Sequence, residues 1–283
     1  MNFKAYVKLA RLHRPVGIWL LLFPAWWGIG LASAKLPPLF LLFLFACGAL
    51  LMRGAGCVYN DIIDRDFDIK VRRTASRPLA AGEVTLREAF VLFLFFLGGG
   101  ALILFNLPSP VILTGFLALA LVLLYPWMKR LTYWPQLFLG VTFNIGIIMG
   151  WLCLQPTLNP VPFLFYGGAI LWTLGYDTIY AFQDQNDDLL IGVKSSALMV
   201  SSMPKLFISL VYGFTLILWG IGGIKGHLNW GYWIFWSLIV LQLAWQVFSL
   251  KVNIPNNCQK KFESNIAIGL LLFLGIVFSR VID

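Results

Sequence analysis

The sequence has little charge. Only 12% of its 283 residues are Asp, Glu, Lys or Arg, whereas soluble globular domains carry about 25%. Hydrophobic residues make up 60% of the chain, and apolar runs recur along nearly all of it. A helix needs about 20 mostly apolar residues to cross a bilayer. The composition therefore excludes an ordinary soluble domain and indicates a protein that crosses the membrane several times.

Cysteine and histidine are also scarce. The four cysteines form no CxxC pair, and the two histidines stand alone. Zinc sites and disulfide frameworks use such residues at close and repeated spacing, so the sequence predicts neither. Alternation of polar and apolar residues, the signature of a membrane β-barrel, is absent from the solidly apolar runs. The spans are therefore predicted to be helices.

Nine apolar runs have the length of membrane helices. They cover residues 16–34, 38–58, 88–105, 110–127, 135–154, 162–182, 206–224, 230–250 and 264–281. Prolines fall mostly between these runs, where they end helices at little cost. We predict an all-α integral membrane protein with nine transmembrane helices, forming a single domain over residues 1–283.

The basic residues support this arrangement. If the N-terminal side is cytoplasmic, 18 of the 21 Lys and Arg residues fall in cytoplasmic segments, and only Lys35, Lys225 and Arg280 lie opposite. Such asymmetry is the positive-inside rule. It accounts for the net charge of +9 without a nucleic-acid partner. We predict a multi-pass protein of the bacterial cell inner membrane, with its N-terminus and active-site loops in the cytoplasm.

The acidic residues are concentrated in two short segments. Eight of the twelve follow the second span or close the sixth, namely Asp61, Asp64, Asp66, Asp68, Asp177, Asp184, Asp187 and Asp188. Asp64 and Asp68 are four residues apart, as are Asp184 and Asp188, so each pair would share one face of a helix. Like charges at this spacing repel each other. A divalent cation would reverse that cost.

Magnesium fits these two acidic segments. Mg²⁺ takes one or two carboxylates, keeps several waters and shares its other positions with substrate phosphates. Basic residues lie nearby in the sequence, on three predicted cytoplasmic ends: Arg72, Arg73 and Arg77, then Lys129 and Arg130, then Lys194. The pattern predicts Mg²⁺ ions that bridge the aspartates to a diphosphate.

A transporter or channel is the main alternative from another class, because aspartates can form an ion path through a membrane. That alternative predicts acidic residues in the middle of spans and inverted repeats with broken helices. Here the acidic segments fall at the cytoplasmic ends of spans, beside basic residues that suit phosphate.

Two segments resemble a known family. Residues 60–79, "NDIIDRDFDIKVRRTASRPL", resemble the NDxxDxxxD motif and RTxxRPL tail of the UbiA family of intramembrane prenyltransferases. Residues 177–195, "DTIYAFQDQNDDLLIGVKS", resemble the second family motif, DxxYAxxDxxxD followed by Gly, Lys and Ser. The similarity extends to residues 125–140, "YPWMKRLTYWPQLFLG", and covers most of the chain.

The resemblance implies a fold and an activity. The fold would be nine transmembrane helices around a central cavity, capped by cytoplasmic loops. The activity would be Mg²⁺-dependent transfer of a polyprenyl group from its diphosphate to carbon 3 of 4-hydroxybenzoate, in ubiquinone biosynthesis. The same fold could serve a haem, a naphthoate or a chlorophyllide acceptor, and this alternative stays open.

The resemblance also implies roles for individual residues. Mg²⁺ and the diphosphate would be held by Asn60, Asp64, Asp68, Asp184 and Asp188. Further diphosphate contacts would come from Arg72, Tyr125, Lys129 and Lys194. The carboxylate of the acceptor would bind Arg130 first, with Arg53 and Arg14 as alternatives. Asp177 or Tyr180 would orient or deprotonate the acceptor.

Overall fold

A computed structural model describes residues 3–70 and 74–282 of the chain. These residues form helices joined by short connections, with no strand among them. The first half contains α1 (Phe3–Leu9), α2 (Val16–Ala32), α3 (Leu39–Asp68), α4 (Leu86–Leu104), α5 (Ser109–Leu131), α6 (Pro135–Asn144) and α7 (Gly146–Leu152). The second half contains α8 (Pro160–Ala181), α9 (Gln185–Ile191), α10 (Ser196–Met199), α11 (Pro204–Lys225), α12 (Trp230–Phe248), α13 (Pro255–Glu263) and α14 (Asn265–Val281).

The prediction of nine spanning helices is confirmed only in part. Every predicted span falls on a helix, but seven helical stretches of the described chain are both long and apolar enough to cross a membrane. They are α3, α4, α5, α6 with α7, α11, α12, and α13 with α14. The apolar helix α2 has only 17 residues. Helix α8 has 22 residues, but its Tyr, Trp, Thr and Gly residues make it less apolar.

Local sequence explains where the helices begin. Prolines in the first turn start α5, α6, α8, α11 and α13, where the missing backbone N–H costs nothing. Thr85 accepts from the backbone N–H of Glu88, and the Glu88 carboxylate accepts from the N–H of Thr85, which forms a capping box at α4. Asn159 and Asn229 cap α8 and α12 in a similar way.

Helix α2 lies at the centre of the bundle. It packs against α3, α7, α8 and α14, and most of its side chains are buried. A Cβ on Gly28 would lie 2.1 Å from the carbonyl oxygen of Ile147, and one on Gly150 would lie 2.3 Å from that of Ala25. Glycine is therefore required where α2 and α7 touch. The Trp27 indole, fully buried, donates to the carbonyl of Gly269 at 2.9 Å and ties α2 to α14.

The two acidic segments have different backbones. Helix α3 runs for 30 residues and extends ten residues past the predicted end of its span, so Asp64 and Asp68 do share one continuous helix. Helix α8 ends at Ala181, where a single 3-10 turn, Phe182–Asp184, leads into α9. Asp184 and Asp188 therefore do not lie on the one regular helix that their spacing predicts, because Asp184 ends the 3-10 turn and Asp188 lies in α9.

Candidate active site

A large cavity of about 1510 Å³ opens among the helices. Its deeper walls are apolar and include Phe45, Leu97 and Phe116 from α3, α4 and α5. Its other end is polar and includes Arg14 and Arg53. Ligand cavities in proteins commonly measure about 300–1,000 Å³. This cavity is larger, and it combines space for a long apolar chain with polar groups at one end.

A smaller pocket of about 220 Å³ adjoins the polar end of this cavity. Both acidic segments contribute to it, together with basic residues from two other elements. The predicted site residues that line it are Asn60, Asp64, Asp68, Tyr125, Lys129, Asp177, Tyr180, Asp184, Asp188 and Lys194. Four of these also line the large cavity, namely Asn60, Tyr125, Asp177 and Tyr180. The two spaces therefore share a wall.

Asp64 is the most deeply buried carboxylate of the first acidic segment, with 1% of its side chain exposed. The Nζ atom of Lys129 lies 2.5 Å from its Oδ2. Nη2 of Arg130 lies 3.7 Å from its Oδ1. A carboxylate this deep is costly unless positive charge offsets it, and α5 supplies that charge from the turn that follows Tyr125 and Pro126.

Asp68 belongs to a chain of charges that reaches the N-terminal helix. Nη1 of Arg77 lies 2.6 Å from Asp68 Oδ2 and 3.0 Å from Asp61 Oδ1. The same oxygen of Asp61 accepts from Nη2 of Arg11 at 2.5 Å. Burial opposes the charge on Arg11, but neighbouring Cys57 and Asp61 outweigh it and raise the pKa of Arg11.

This charge chain joins three residues for which the sequence prediction gave no individual role. Asp61 belongs to the NDxxDxxxD motif, and Arg77, one of the bases that suit phosphate, belongs to its RTxxRPL tail, but nothing in their spacing pairs them. Arg11 could not have been found from a pattern, because its backbone adopts a positive φ of 55°. A non-glycine residue in this region is uncommon, and here the turn directs the guanidinium toward Asp61.

The second acidic segment faces the same small pocket from the end of α8, the 3-10 turn and α9. Gly192 ends α9 with a φ of 73°, a left-handed conformation that suits glycine, and its backbone N–H donates to the carbonyl of Asp188. The chain then returns toward α5. The backbone N–H of Lys194 donates to the carbonyl of Lys129 at 2.9 Å, and its Nζ donates to the carbonyl of Leu131 at 3.2 Å. The first of these contacts places the backbones of Lys129 and Lys194 side by side.

The donor atoms around the small pocket suit a hard cation. Its lining includes five motif carboxylates and the Asn60 amide, and carboxylate and amide oxygens are the ligands that Mg²⁺ uses in proteins. Among the described residues, no three His, Cys, Asp or Glu side chains converge closely enough to hold an ion alone. Mg²⁺ in proteins commonly takes one or two carboxylates and completes its coordination with water and phosphate.

The three candidates for the acceptor carboxylate lie in different places. Arg14 and Arg53 line the polar end of the large cavity. Arg130 lines neither space. Its guanidinium donates to the carbonyl of Ile63 at 3.0 Å and stacks on the rings of Phe67 and Trp127, 4.8 and 4.7 Å from their centroids. Arg72, a predicted phosphate contact, falls outside the described residues.

The chain matches a model of the UbiA prenyltransferase family over residues 21–275. A relative from Bos taurus, named 4-hydroxybenzoate polyprenyltransferase, mitochondrial, is 45% identical over 98% of this chain and 75% of its own length. The family match covers well over half of the chain, and the similarity to this relative extends over nearly all of the chain.

Two solved structures share the fold. The apo structure of a UbiA homolog from Aeropyrum pernix K1 superposes with a TM-score of 0.79 at 25% identity, covering 92% of this chain and 97% of that one. A UbiA homolog from Archaeoglobus fulgidus bound to GPP and Mg²⁺ has a TM-score of 0.72 at 18% identity, covering 97% and 99%. At 18% identity, the likeness to the Archaeoglobus fulgidus structure shows the fold alone.

The predicted location needs correction. The sequence pointed to a bacterial cell inner membrane, but the Bos taurus relative is named as a mitochondrial enzyme, which points to a mitochondrial membrane. The multi-pass character fits both. Charge asymmetry cannot tell these membranes apart, because it reports the orientation of the helices and not the organelle.

Proposed function

The chain belongs to the UbiA prenyltransferase family, and we propose that it transfers a polyprenyl group from polyprenyl diphosphate to carbon 3 of 4-hydroxybenzoate, with Mg²⁺, in ubiquinone biosynthesis. The resemblance of its two aspartate motifs to this family is confirmed by the match over residues 21–275. The substrates follow from the name of the Bos taurus relative and from the GPP and Mg²⁺ bound by the Archaeoglobus homolog.

The shared wall between the two spaces is the observation that carries this proposal. The small pocket gathers carboxylates and lysines, as a diphosphate with Mg²⁺ requires. The large cavity continues from it into apolar walls. A diphosphate bound in the first would therefore point its hydrocarbon chain into the second. The bond that breaks would then lie near Asn60, Tyr125, Asp177 and Tyr180.

The small pocket would bind and activate the donor. Mg²⁺ would be held by Asn60, Asp64, Asp68, Asp184 and Asp188, and when bound it would neutralise charge on the leaving diphosphate. Lys129 and Lys194 lie side by side at this pocket. Their ammonium groups would stabilise the negative charge that develops on the diphosphate as the allylic carbon–oxygen bond breaks.

Aromatic faces border the position of the resulting cation. The rings of Tyr180 and Phe262 lie 4.5 Å apart between centroids, and both residues line the large cavity. Aromatic faces attract cations, so this pair would stabilise the allylic cation on its way to the acceptor. The surrounding apolar walls would exclude water, which would otherwise hydrolyse the cation.

The acceptor would bind at the polar end of the large cavity. We assign its carboxylate to Arg53, with Arg14 as the second candidate, because both line this cavity. Arg130, the first choice from the sequence, lies outside it. Asp177 and Tyr180 line both spaces, and one of them would orient the phenol or accept the ring proton as the new carbon–carbon bond forms.

The number of membrane-spanning helices is part of the proposal. We propose that α2 and α8 cross the bilayer together with the seven stretches that are long and apolar enough, which makes nine spans in a single domain. We call the membrane side that carries α1, the end of α3, and α9 the cap side.

Product analysis tests the proposed function. Purified protein is incubated with Mg²⁺, geranyl diphosphate as the donor probe, and 4-hydroxybenzoate, and the product mass is measured. The expected product is the acceptor plus one geranyl group less one hydrogen, with release of diphosphate. Parallel incubations with a naphthoate, a chlorophyllide and haem test the alternative acceptors. A product with one of these, and none with 4-hydroxybenzoate, would change the acceptor while leaving the enzyme class in place.

A further inference from the structure

Arg53 lies in a space that exists because residue 17 is a glycine. A Cβ built on Gly17 would lie 2.5 Å from Nε, 2.6 Å from Nη2 and 2.7 Å from Cζ of Arg53. Real side chains do not approach this closely. All three atoms belong to the planar guanidinium, so an added methyl group would collide with the side of that group formed by Nε and Nη2. The guanidinium therefore lies directly against the backbone of α2 at Gly17.

A second contact holds the same group from another helix. The guanidinium carbon of Arg53 lies 5.5 Å from the centroid of the Phe143 ring in α6. Gly17, Arg53 and Phe143 all line the large cavity. The N–H donors of a guanidinium lie in its own plane. Contacts that fix the plane therefore also fix the direction in which the donors point.

We propose that Gly17 is a positioning residue for the acceptor, because its missing side chain sets the plane in which Arg53 presents its donors to the carboxylate of 4-hydroxybenzoate. The inference rests on the proposed function, and specifically on the assignment of Arg53. Bidentate pairing of guanidinium and carboxylate depends on a shared plane. A tilt of the guanidinium would therefore weaken acceptor binding even though its charge remains.

The role of Gly17 can be tested by substitution, because the added methyl group would displace Arg53 and not the backbone. The atoms that a Cβ on Gly17 would meet are the far end of a flexible side chain, so Arg53 can move aside while α2 stays in place. Gly98 in α4 is the matched control, since a Cβ there meets nothing within 4 Å. Both changes to alanine gain helix propensity. A difference between the two variants therefore reports the contact with Arg53.

The experiment measures KM for both substrates and the preference for a charged acceptor. We expect Gly17→Ala and Arg53→Ala each to raise the KM for 4-hydroxybenzoate roughly 10- to 150-fold, the range for lost hydrogen bonds to a charged group. The KM for geranyl diphosphate should stay within about two-fold in both variants. Both variants should also lose the preference for 4-hydroxybenzoate over its neutral methyl ester. Gly98→Ala should behave as the unmodified protein.

The double variant separates positioning from general damage. If Gly17 acts through Arg53, adding Gly17→Ala to Arg53→Ala should cause no further rise in KM, because the effects of residues that act as a unit do not add. Any loss of thermal stability in Gly17→Ala should likewise disappear in the double variant, where the methyl group has space. The inference would be overturned if the two substitutions raised the KM for 4-hydroxybenzoate independently, so that their fold-changes multiplied in the double variant. An unchanged KM in Gly17→Ala would also overturn it.

Failure of the proposed function would look different. An unmodified protein that makes no product from 4-hydroxybenzoate would remove the proposed acceptor. If the unmodified protein is active and Arg53→Ala leaves the KM for 4-hydroxybenzoate unchanged, Arg53 does not belong to the acceptor site. A large effect of Arg53→Ala without one of Gly17→Ala would remove Gly17 alone.

Discussion

Nζ of Lys129 lies 2.5 Å from Oδ2 of Asp64, and this ion pair joins the ends of α5 and α3 at the small pocket. Only 1% of the Asp64 side chain and 26% of the Lys129 side chain are exposed. Two residues that the sequence separates by 65 positions thus contribute one carboxylate and one ammonium group to the same place. The pair combines the two functions assigned to the pocket, which are binding Mg²⁺ and binding phosphate.

Removal of the Asp64 carboxylate should abolish prenyl transfer. We expect Asp64→Ala to lower kcat at least about 100-fold, because the loss of one group that stabilises transition-state charge costs about 10²–10³. Product formation from geranyl diphosphate and 4-hydroxybenzoate is the measurement. Asp66→Ala is the matched control, since its side chain is 80% exposed and its ion pair among the described residues is with its neighbour Arg65. An active Asp64→Ala protein would remove this residue from the donor site.

Chelation should act on the same step. We expect EDTA to stop turnover and added Mg²⁺ to restore it, because the small pocket presents oxygen ligands that suit a hard cation. Mn²⁺ should also restore activity. The loss should be reversible without refolding, and the helical circular dichroism signal should not change. Full turnover in excess EDTA would contradict the assignment of the aspartates to a metal.

The path of the chain through the membrane can be measured with reporters. A reporter fused after Lys194 should be on the cap side, and one fused near Lys225 should be on the opposite side, because α11 runs between them for 22 residues. A third fusion after Ser33, at the end of α2, tests whether this 17-residue helix crosses. Its reporter should lie opposite the cap side. Fusions after Lys194 and Lys225 on one side would remove α11 from the spans.

Much of the donor site could be predicted from the sequence, because spacing along a helix determines which residues share a face. Asp64 and Asp68 lie on one continuous helix as their spacing implied. The 3-10 turn after Ala181 could not be predicted, because no proline or glycine marks it in the sequence. The sequence also could not predict which of two neighbouring basic residues faces the pocket. Lys129 and Arg130 carry the same charge, and only Lys129 lines it.

Arg130 and Arg53 should respond differently to truncation. We expect Arg130→Ala to leave the KM for 4-hydroxybenzoate within about two-fold and to lower thermal stability, because this side chain links α5 to α3 through the carbonyl of Ile63. Arg53→Ala should raise that KM roughly 10- to 150-fold. Arg130→Lys is an informative companion, since lysine keeps the charge but cannot stack or donate as a planar fork. The reverse pattern in KM would return the carboxylate to Arg130, as the sequence first suggested.

Asp61 should affect the donor site without binding the donor. Its Oδ1 accepts from Arg11 at 2.5 Å and from Arg77 at 3.0 Å, and the same Arg77 nitrogen lies 2.6 Å from Asp68. Only 2% of the Asp61 side chain is exposed. Asp61→Asn removes the charge that holds both guanidinium groups, and hydrogen bonds to charged groups contribute about 1.5–3 kcal/mol. We therefore expect lower thermal stability and a KM for geranyl diphosphate raised roughly 10-fold or more.

A double-mutant cycle determines whether that effect passes through Arg77. Asp61→Asn and Arg77→Gln are measured singly and together, with the KM for geranyl diphosphate as the readout. Residues in one ion-pair network have coupling energies of about 0.5–3 kcal/mol, so the double variant should be less impaired than the product of the single effects. The KM for 4-hydroxybenzoate should not change, which distinguishes a displaced Asp68 from general loosening of the cap side. Independent effects of the two substitutions would show that Asp61 supports α1 and α3 only as a structural group.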